Sequence, residues 1–191
     1  MGFPKRKKLH DEICIYVNDF FNQRGYSSCF YGYEYSIAKK ILHNELLKIR
    51  ETSTASFIRH QPDGITIINN KAFFWEVKTL IKYKTPNFSI EIESYNTCKE
   101  LYKLGHKTIF IFNSIPTHPF NLRACTIQDI KIHKKYDGQD TNGGSGTPFG
   151  LISKNNTYMK SLEDFIIFQQ QKRSGEYSSY TDLMKNVLST R

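Results

Sequence analysis

Three charged residues lie close together in the sequence and have the types needed for phosphate chemistry. Asp63 follows Pro62, and a spacer of 12 residues separates it from Glu76, with Lys78 two positions further on. Hydrolysis of a phosphodiester needs a metal ion, an activated water and a cation that offsets developing negative charge. Two carboxylates can hold the ion and a lysine can supply the cation, provided that the fold brings the three residues together.

Strand periodicity predicts that Glu76 and Lys78 share one face of a sheet. Residues 64–68 and 72–79 are rich in β-branched and aromatic side chains, which is typical of strands. Successive side chains of a strand point to opposite faces, so Phe73, Trp75 and Val77 are expected to face the core. Lys78 should therefore lie beside Glu76.

A tight turn between these strands would bring Asp63 opposite Glu76. Asn69-Asn70 separates the strands, and Asn tolerates the positive φ of a type I′ turn. Counting back along both strands from such a turn pairs Asp63 with Glu76, with Cβ atoms about 4.5–5.5 Å apart. Carboxylates at that distance repel each other unless a divalent cation lies between them. Because Mg²⁺ prefers hard oxygen ligands, we expect Mg²⁺ here, with Mn²⁺ able to substitute.

The motif and the inferred order of elements resemble the PD-(D/E)xK nuclease superfamily, which has a restriction-endonuclease-like fold. Pro62-Asp63 and Glu76-Val77-Lys78 carry the resemblance, within a predicted α-β-β-β-α-β core of about residues 36–113. The resemblance implies Asp63 and Glu76 as metal ligands, the Val77 carbonyl as a third ligand and Lys78 as the catalytic lysine.

Two further positions of that superfamily have candidates in this chain. Many members add an acid from the helix before the first strand, and Glu45 is our candidate because it falls within the apolar stripe of a predicted helix 36–51, with Glu34 in reserve. Some members place a Gln or Tyr in the helix after the third strand, where only Tyr95 and Tyr102 are available.

The rest of the chain is predicted to complete one α/β domain, a central mixed sheet flanked by helices with extra N- and C-terminal helices. An apolar stripe at Ile13, Val17, Phe20 and Phe21 indicates a helix that ends at Gly25. The other predicted elements are strands 56–60, 88–93, 108–112 and 149–153, helices 94–104, from 161 and 179–188, a flexible loop 137–148 and a C-terminal extension 149–191.

The charge indicates a polyanionic partner. Lys and Arg number 27 against 18 acids, a net charge of +9, which favours nucleic acid beside a phosphate-cleaving site. The dense run Pro4–Lys8 could be a phosphate-contacting arm, a nuclear-localisation-like signal or a frayed terminus. The residues we assign to nucleic-acid contact are Lys5, Arg6, Lys7, Lys8, Arg59, His60, Lys82 and Lys84; for His60 an ordinary strand-end position is the alternative.

The sequence gives less support to disulfides, to zinc or histidine metal sites and to a phosphate-binding loop. The four cysteines lack CxxC spacing, so we expect small buried hydrophobic thiols and neither a disulfide framework nor structural zinc. The histidines form no pair at metal-ligand spacing. Gly143-Gly144-Ser145-Gly146 lacks the Lys-Ser or Lys-Thr of a phosphate-binding loop.

We therefore expect a Mg²⁺-dependent nuclease that hydrolyses DNA, more specifically an endonuclease. Three alternatives stay open: an RNA nuclease, a resolvase of branched DNA acting as a homodimer, and a silent nucleic-acid-binding module of the same fold. No apolar stretch reaches the roughly 20 residues of a membrane span, and no apolar segment follows the basic N-terminal run. An intracellular location is expected, cytoplasmic, or nuclear if the source is eukaryotic.

Overall fold

A computed structural model describes residues 3–32, 45–46, 48, 52–79, 87–115, 118–137 and 147–174. The helices are α1 Phe3–Gln23, α2 Ser53–Arg59, α3 Ile92–Lys103 and α4 Leu162–Ser174, with a 3₁₀ turn at Ile127–Asp129. The strands are β1 Ser27–Phe30, β2 Gly64–Ile68, β3 Lys71–Lys78, β4 Asn87–Glu91, β5 Lys107–Ile115, β6 His118–Thr126, β7 Lys134–Tyr136, β8 Phe149–Ser153 and β9 Lys160–Ser161.

The main sheet is mixed, in the order β1-β2-β3-β5-β6-β9. β1 pairs antiparallel with β2, and β2 pairs antiparallel with β3. β3 pairs parallel with β5, and the crossover helix α3 lies in the connection between them. A second sheet, β4-β8-β7, packs beside it. This is the α/β class with a mixed sheet flanked by helices that the sequence predicted.

Each face of the main sheet has its own core. α1 and α4 cover one face, where Val17, Phe165, Trp75 and Ile109 are buried together. The other face buries Phe88, Cys98, Phe110 and Phe112 with the second sheet. β5 alternates between the two cores, so its uninterrupted apolar run is explained by cover on both sides, as predicted.

The predicted order of helix, three strands, helix and strand is confirmed, but its first helix and first strand lie earlier in the chain than predicted. The core helix is α1 and the first strand is Ser27–Phe30, not the predicted helix 36–51 and strand 56–60. Residues 53–59 are helical because Thr52 caps them, its Oγ1 accepting from the Ala55 N–H at 3.3 Å. Of the predicted helix 36–51, residues 45, 46 and 48 are described, and all three are helical.

The ends of helices α1 and α4 agree with the capping residues that the sequence predicted. Gly25 ends α1 with φ 78°, and Ser161 caps α4, its Oγ accepting from the Asp164 N–H at 3.1 Å. The basic run Pro4–Lys8 lies within α1, which argues against a frayed terminus, and its contact with phosphate stays a prediction. Most of the predicted loop 137–148 and the whole helix 179–188 lie outside the described residues. None of the described helices combines the length and apolar character needed to cross a membrane.

Gly64, directly after Asp63, is required by the packing of the hairpin. A Cβ at this position would lie 2.0 Å from Cζ2 of Trp75, which is fully buried. We expect Gly64→Ala to lower the free energy of unfolding by about 1–3 kcal/mol, as overpacking of a filled core does. Urea denaturation measures this. Gly32→Ala is the matched control, because among the described residues its Cβ would meet only the Pro62 carbonyl, at 3.4 Å; equal stabilities of the two variants would contradict the prediction.

Candidate active site

The β2–β3 hairpin positions the two predicted metal ligands. Asn69 and Asn70 have φ of 50° and 60°, which confirms the tight turn of positive φ. Ile68 pairs with Lys71, and the register holds back to Gly64 opposite Trp75. Asp63 and Glu76 each lie one residue beyond that last pair, so the register brings them opposite each other.

Lys78 lies beside Glu76 on one face of β3, as strand alternation predicted. Its Nζ is 2.6 Å from Glu76 Oε1 and 3.9 Å from Glu91 Oε2. Trp75 and Val77, on the opposite face, are fully buried in the core beneath α1. The lysine side chain is itself only 16% exposed, so its ammonium is held against the carboxylates.

Asp63 is fixed by backbone and side-chain contacts. Its Oδ2 accepts from the Val77 N–H at 2.8 Å and lies 3.5 Å from His10 Nε2. Its carbonyl accepts from the Tyr31 N–H at 2.8 Å. These bonds hold the carboxylate at the end of β3, next to Glu76 and Lys78.

The two carboxylate oxygens of Glu76 have different surroundings. Its Oε1 accepts from the Ser94 hydroxyl at 2.8 Å and from Lys78. Its Oε2 is buried and has no hydrogen bond to any residue that the structure describes. A buried, unsatisfied carboxylate oxygen is costly in an apolar setting, and a bound cation would satisfy it. The residues present therefore fit a hard divalent ion.

The pKa values of His10 and Asp63 show a strong ion pair. Burial alone would lower the pKa of His10, but the hydrogen bond and charge of Asp63 raise it to about 12. Burial would raise the pKa of Asp63, yet His10, the Val77 N–H and Lys78 together hold it below its usual value. Asp63 is therefore ionised at neutral pH, as a metal ligand must be.

The pKa values on the other side of the site are set by burial and by the charges of neighbouring groups. Burial, with a contribution from the Asp63 charge, raises the pKa of Glu76 to about 7 against the opposing effect of Lys78. Burial would lower the pKa of Lys78, but Glu76 and Glu91 outweigh it and raise it. Lys78 lowers the pKa of Glu91. Lys78 thus stays charged, and Glu76 titrates near neutrality.

Sequence reasoning missed three residues of this cluster: His10, Glu91 and Ser94. His10 continues the apolar stripe of α1 one turn before Ile13, so its inward position was readable from the spacing. Glu91 and Ser94 lie at the junction of β4 and α3. The crossover that returns α3 to the sheet brings Glu91 to Lys78 and Ser94 to Glu76, and no local pattern marks them.

Glu45, the predicted additional acid, is outside the cluster. Its carboxylate is 58% exposed and lies 2.7 Å from Lys48 Nζ, because the helix that carries it is not the core helix. Glu34 lies outside the described residues. The predicted Tyr95 is half-buried beside the second core, and the exposed Tyr102 hydroxyl accepts from Gln128.

The predicted nucleic-acid contacts have different surroundings, and Lys5 lies within α1. Arg6 and His60 lie close enough to the site for their charges to lower the pKa of Glu91. Lys7 pairs with Asp11 at 3.2 Å and Lys8 with Glu12 at 3.9 Å, one helical turn away. Arg59 ends α2 and is half-buried, and Lys82 and Lys84 lie outside the described residues.

Comparisons with known proteins give likenesses of structure only. No protein-family model and no curated protein matches the sequence. The Holliday junction resolvase Hjc of Archaeoglobus fulgidus aligns over 83% of this chain and 98% of its own, with 9% identity and a TM-score of 0.48. D212, a nuclease from a fusselovirus, aligns over 85% of this chain and 89% of its own, with 16% identity and a TM-score of 0.45.

Proposed function

We propose that this protein is a Mg²⁺-dependent nuclease that hydrolyses DNA phosphodiester bonds, as an endonuclease. The observation that carries the proposal is the hairpin register that opposes Asp63 and Glu76, with Lys78 Nζ 2.6 Å from Glu76 and Glu76 Oε2 buried without a partner among the described residues. The unsatisfied oxygen supports the proposal because buried polar groups are normally hydrogen-bonded, and a bound cation would satisfy it.

Asp63 and Glu76 would hold the ion, with the Val77 carbonyl as the third ligand that the resemblance implies. Bound Mg²⁺ would stabilise charge on the phosphate and lower the pKa of a coordinated water, and Mn²⁺ is expected to substitute. Oxygen donors suit a hard cation, which keeps part of its water shell in such sites.

The protein's own side chains would orient and stabilise the reacting groups. Glu76 and Glu91 raise the pKa of Lys78, which favours Lys78 as a cation toward the phosphate or as an orienting donor to the water. Ser94 and Lys78 fix Glu76 through Oε1, and His10 and the Val77 N–H fix Asp63 through Oδ2. Fixed ligands reduce the reorganisation that the reaction requires.

The charge of the chain supports DNA as the substrate. The net charge is +9, and Arg6 and His60 act electrostatically on the site itself. Phosphate contacts by Lys and Arg supply affinity that is independent of sequence. We also propose that the protein acts inside the cell, and that it acts as a homodimer if its substrate is a branched junction.

A plasmid-nicking assay tests the proposal. We expect relaxed and linear products with Mg²⁺ or Mn²⁺ and intact plasmid with EDTA. Parallel reactions with single-stranded DNA, a four-way junction and structured RNA separate the endonuclease from the resolvase and the RNA nuclease. Binding without cleavage of any substrate would overturn the proposal in favour of a silent binding module.

The pH dependence of cleavage should follow Glu76. Its pKa in the fold is raised from 4.5 to about 7, so the ligand is protonated below that pH and activity should rise as pH increases through it. Because proton and ion compete for the same carboxylate, tenfold more Mg²⁺ should move the midpoint down by up to about one pH unit. Initial rates of cleavage across pH at two Mg²⁺ concentrations measure the shift of the midpoint. A midpoint that is the same at both Mg²⁺ concentrations would contradict the prediction.

A further inference from the structure

The thiol of Cys14 lies beside the proposed catalytic centre but has no part in it. Cys14 is fully buried on the face of α1 that carries His10, four residues earlier. Residues four apart are neighbours on a helix surface, and the Cys14 Sγ lies 3.6 Å from His10 Nδ1 and 3.8 Å from Nε2. The spacing His10-x₃-Cys14 thus puts an imidazole and a thiol side by side.

Asp63 completes a set of three donors of different chemistry. Its Oδ2 is 3.5 Å from His10 Nε2, and one donor atom from each of His10, Cys14 and Asp63 lies within 4.8 Å of the others. For comparison, tetrahedral Zn²⁺ with bonds of about 2.0–2.3 Å separates its ligand atoms by roughly 3.3–3.7 Å. The three donor atoms therefore need only small adjustments to surround one ion, which binds as the protonated His10 and the Cys14 thiol each release a proton to solvent.

The mixture of sulfur, nitrogen and oxygen selects a different ion from the one that Asp63 and Glu76 fit. Thiolate and imidazole favour zinc and other thiophilic transition metals, and Mg²⁺ is held by oxygen ligands. The His10 and Asp63 side chains are 27% and 16% exposed, so an ion can approach them from solvent, and a water would be the fourth ligand. Three protein ligands and an open position form a known zinc arrangement.

We propose that His10, Cys14 and Asp63 form a site for Zn²⁺ or a similar thiophilic transition metal ion, and that occupation of this site inhibits the nuclease. The two metal sites share Asp63, so an ion held by Cys14 and His10 draws that carboxylate away from the Mg²⁺ site. The inhibitory part rests on the proposed function; the binding part does not.

The binding experiment uses Zn²⁺ itself on protein that carries Cys29→Ser, because Cys29 is the exposed cysteine. X-ray absorption spectra of the equimolar Zn²⁺ complex should contain a sulfur neighbour at about 2.3 Å. Adding Cys14→Ser or Cys14→Ala should remove that shell, and should weaken Zn²⁺ binding by at least about 100-fold, beyond the loss usual for outer-shell changes. Thermal melts verify that both variants are folded.

An activity experiment on the same proteins tests the regulatory part. In Mg²⁺, Zn²⁺ should inhibit plasmid cleavage by the Cys29→Ser protein at stoichiometric occupancy, and the Cys14 variants should cleave DNA yet resist Zn²⁺. Absence of the sulfur shell, its persistence without Cys14, or equal inhibition of all proteins would overturn the inference. A sulfur shell in a protein that cleaves no nucleic acid would leave the metal site standing and overturn the proposed function instead.

Discussion

Lys78→Ala is expected to lower the rate of DNA cleavage by about 10²–10³-fold, the usual loss when a preorganised electrostatic donor is removed. Lys78 is the cation of the site, 2.6 Å from Glu76 and 3.9 Å from Glu91. DNA binding should change little, since one ammonium contributes a small part of a +9 charge. Single-turnover cleavage at saturating enzyme, beside a binding isotherm in Ca²⁺, measures the two effects separately.

The control for Lys78→Ala must separate lost chemistry from lost stability. Removal of one partner from a buried ion pair can cost about 3–5 kcal/mol, so a thermal melt must show that Lys78→Ala is folded, and Lys78→Met, which keeps the apolar stem of the side chain, should be folded and equally inactive. Lys71→Ala is the matched control, because Lys71 is an exposed lysine at the start of the same strand. Cleavage by Lys78→Ala at the rate of Lys71→Ala would contradict the proposed role.

Asp63→Asn should abolish metal-dependent cleavage, with a loss of about 10³-fold or more, because a metal ligand supplies several kcal/mol of transition-state stabilisation. The amide oxygen of the new side chain can still accept from the Val77 N–H, which Asp63 Oδ2 accepts at 2.8 Å. The hairpin should therefore persist while the charge is lost. Titration with Mn²⁺ and cleavage assays at increasing Mg²⁺ measure the effect.

His10 offers an independent readout of Asp63→Asn. Its pKa, about 12 in the wild-type fold because of Asp63, should fall toward the usual value of about 6.5, which NMR titration of the imidazole detects. Asp19→Asn is the matched control, since Asp19 is an exposed acid of the same helix, nine residues after His10. Undiminished cleavage by Asp63→Asn, or an unmoved His10 titration, would contradict this assignment.

The hairpin and its carboxylates were predictable because their signals are local. Asn69-Asn70 fixes the turn, alternation fixes the faces of β3, and together they give the register that the structure shows. The central strand β5 was equally readable, since a strand covered on both faces carries an uninterrupted apolar run.

The core helix and first strand could not be chosen from local signals. Both α1 and the segment 36–51 carry an apolar stripe, and sequence order alone favoured the one nearer to Asp63. β1 has only four residues, Ser27–Phe30, none of them fully buried, and its place depends on long-range pairing with β2. Because sequence order favoured helix 36–51 as the core helix, Glu45 was predicted as a site residue and His10 of α1 was missed.

The most direct test of the site is the position of Mn²⁺ in crystals of the wild-type protein. We expect an anomalous peak at about 2.1 Å from carboxylate oxygens of both Asp63 and Glu76, with Glu76 Oε2 among them. A peak elsewhere, or none at a Mn²⁺ concentration that supports cleavage in solution, would contradict it.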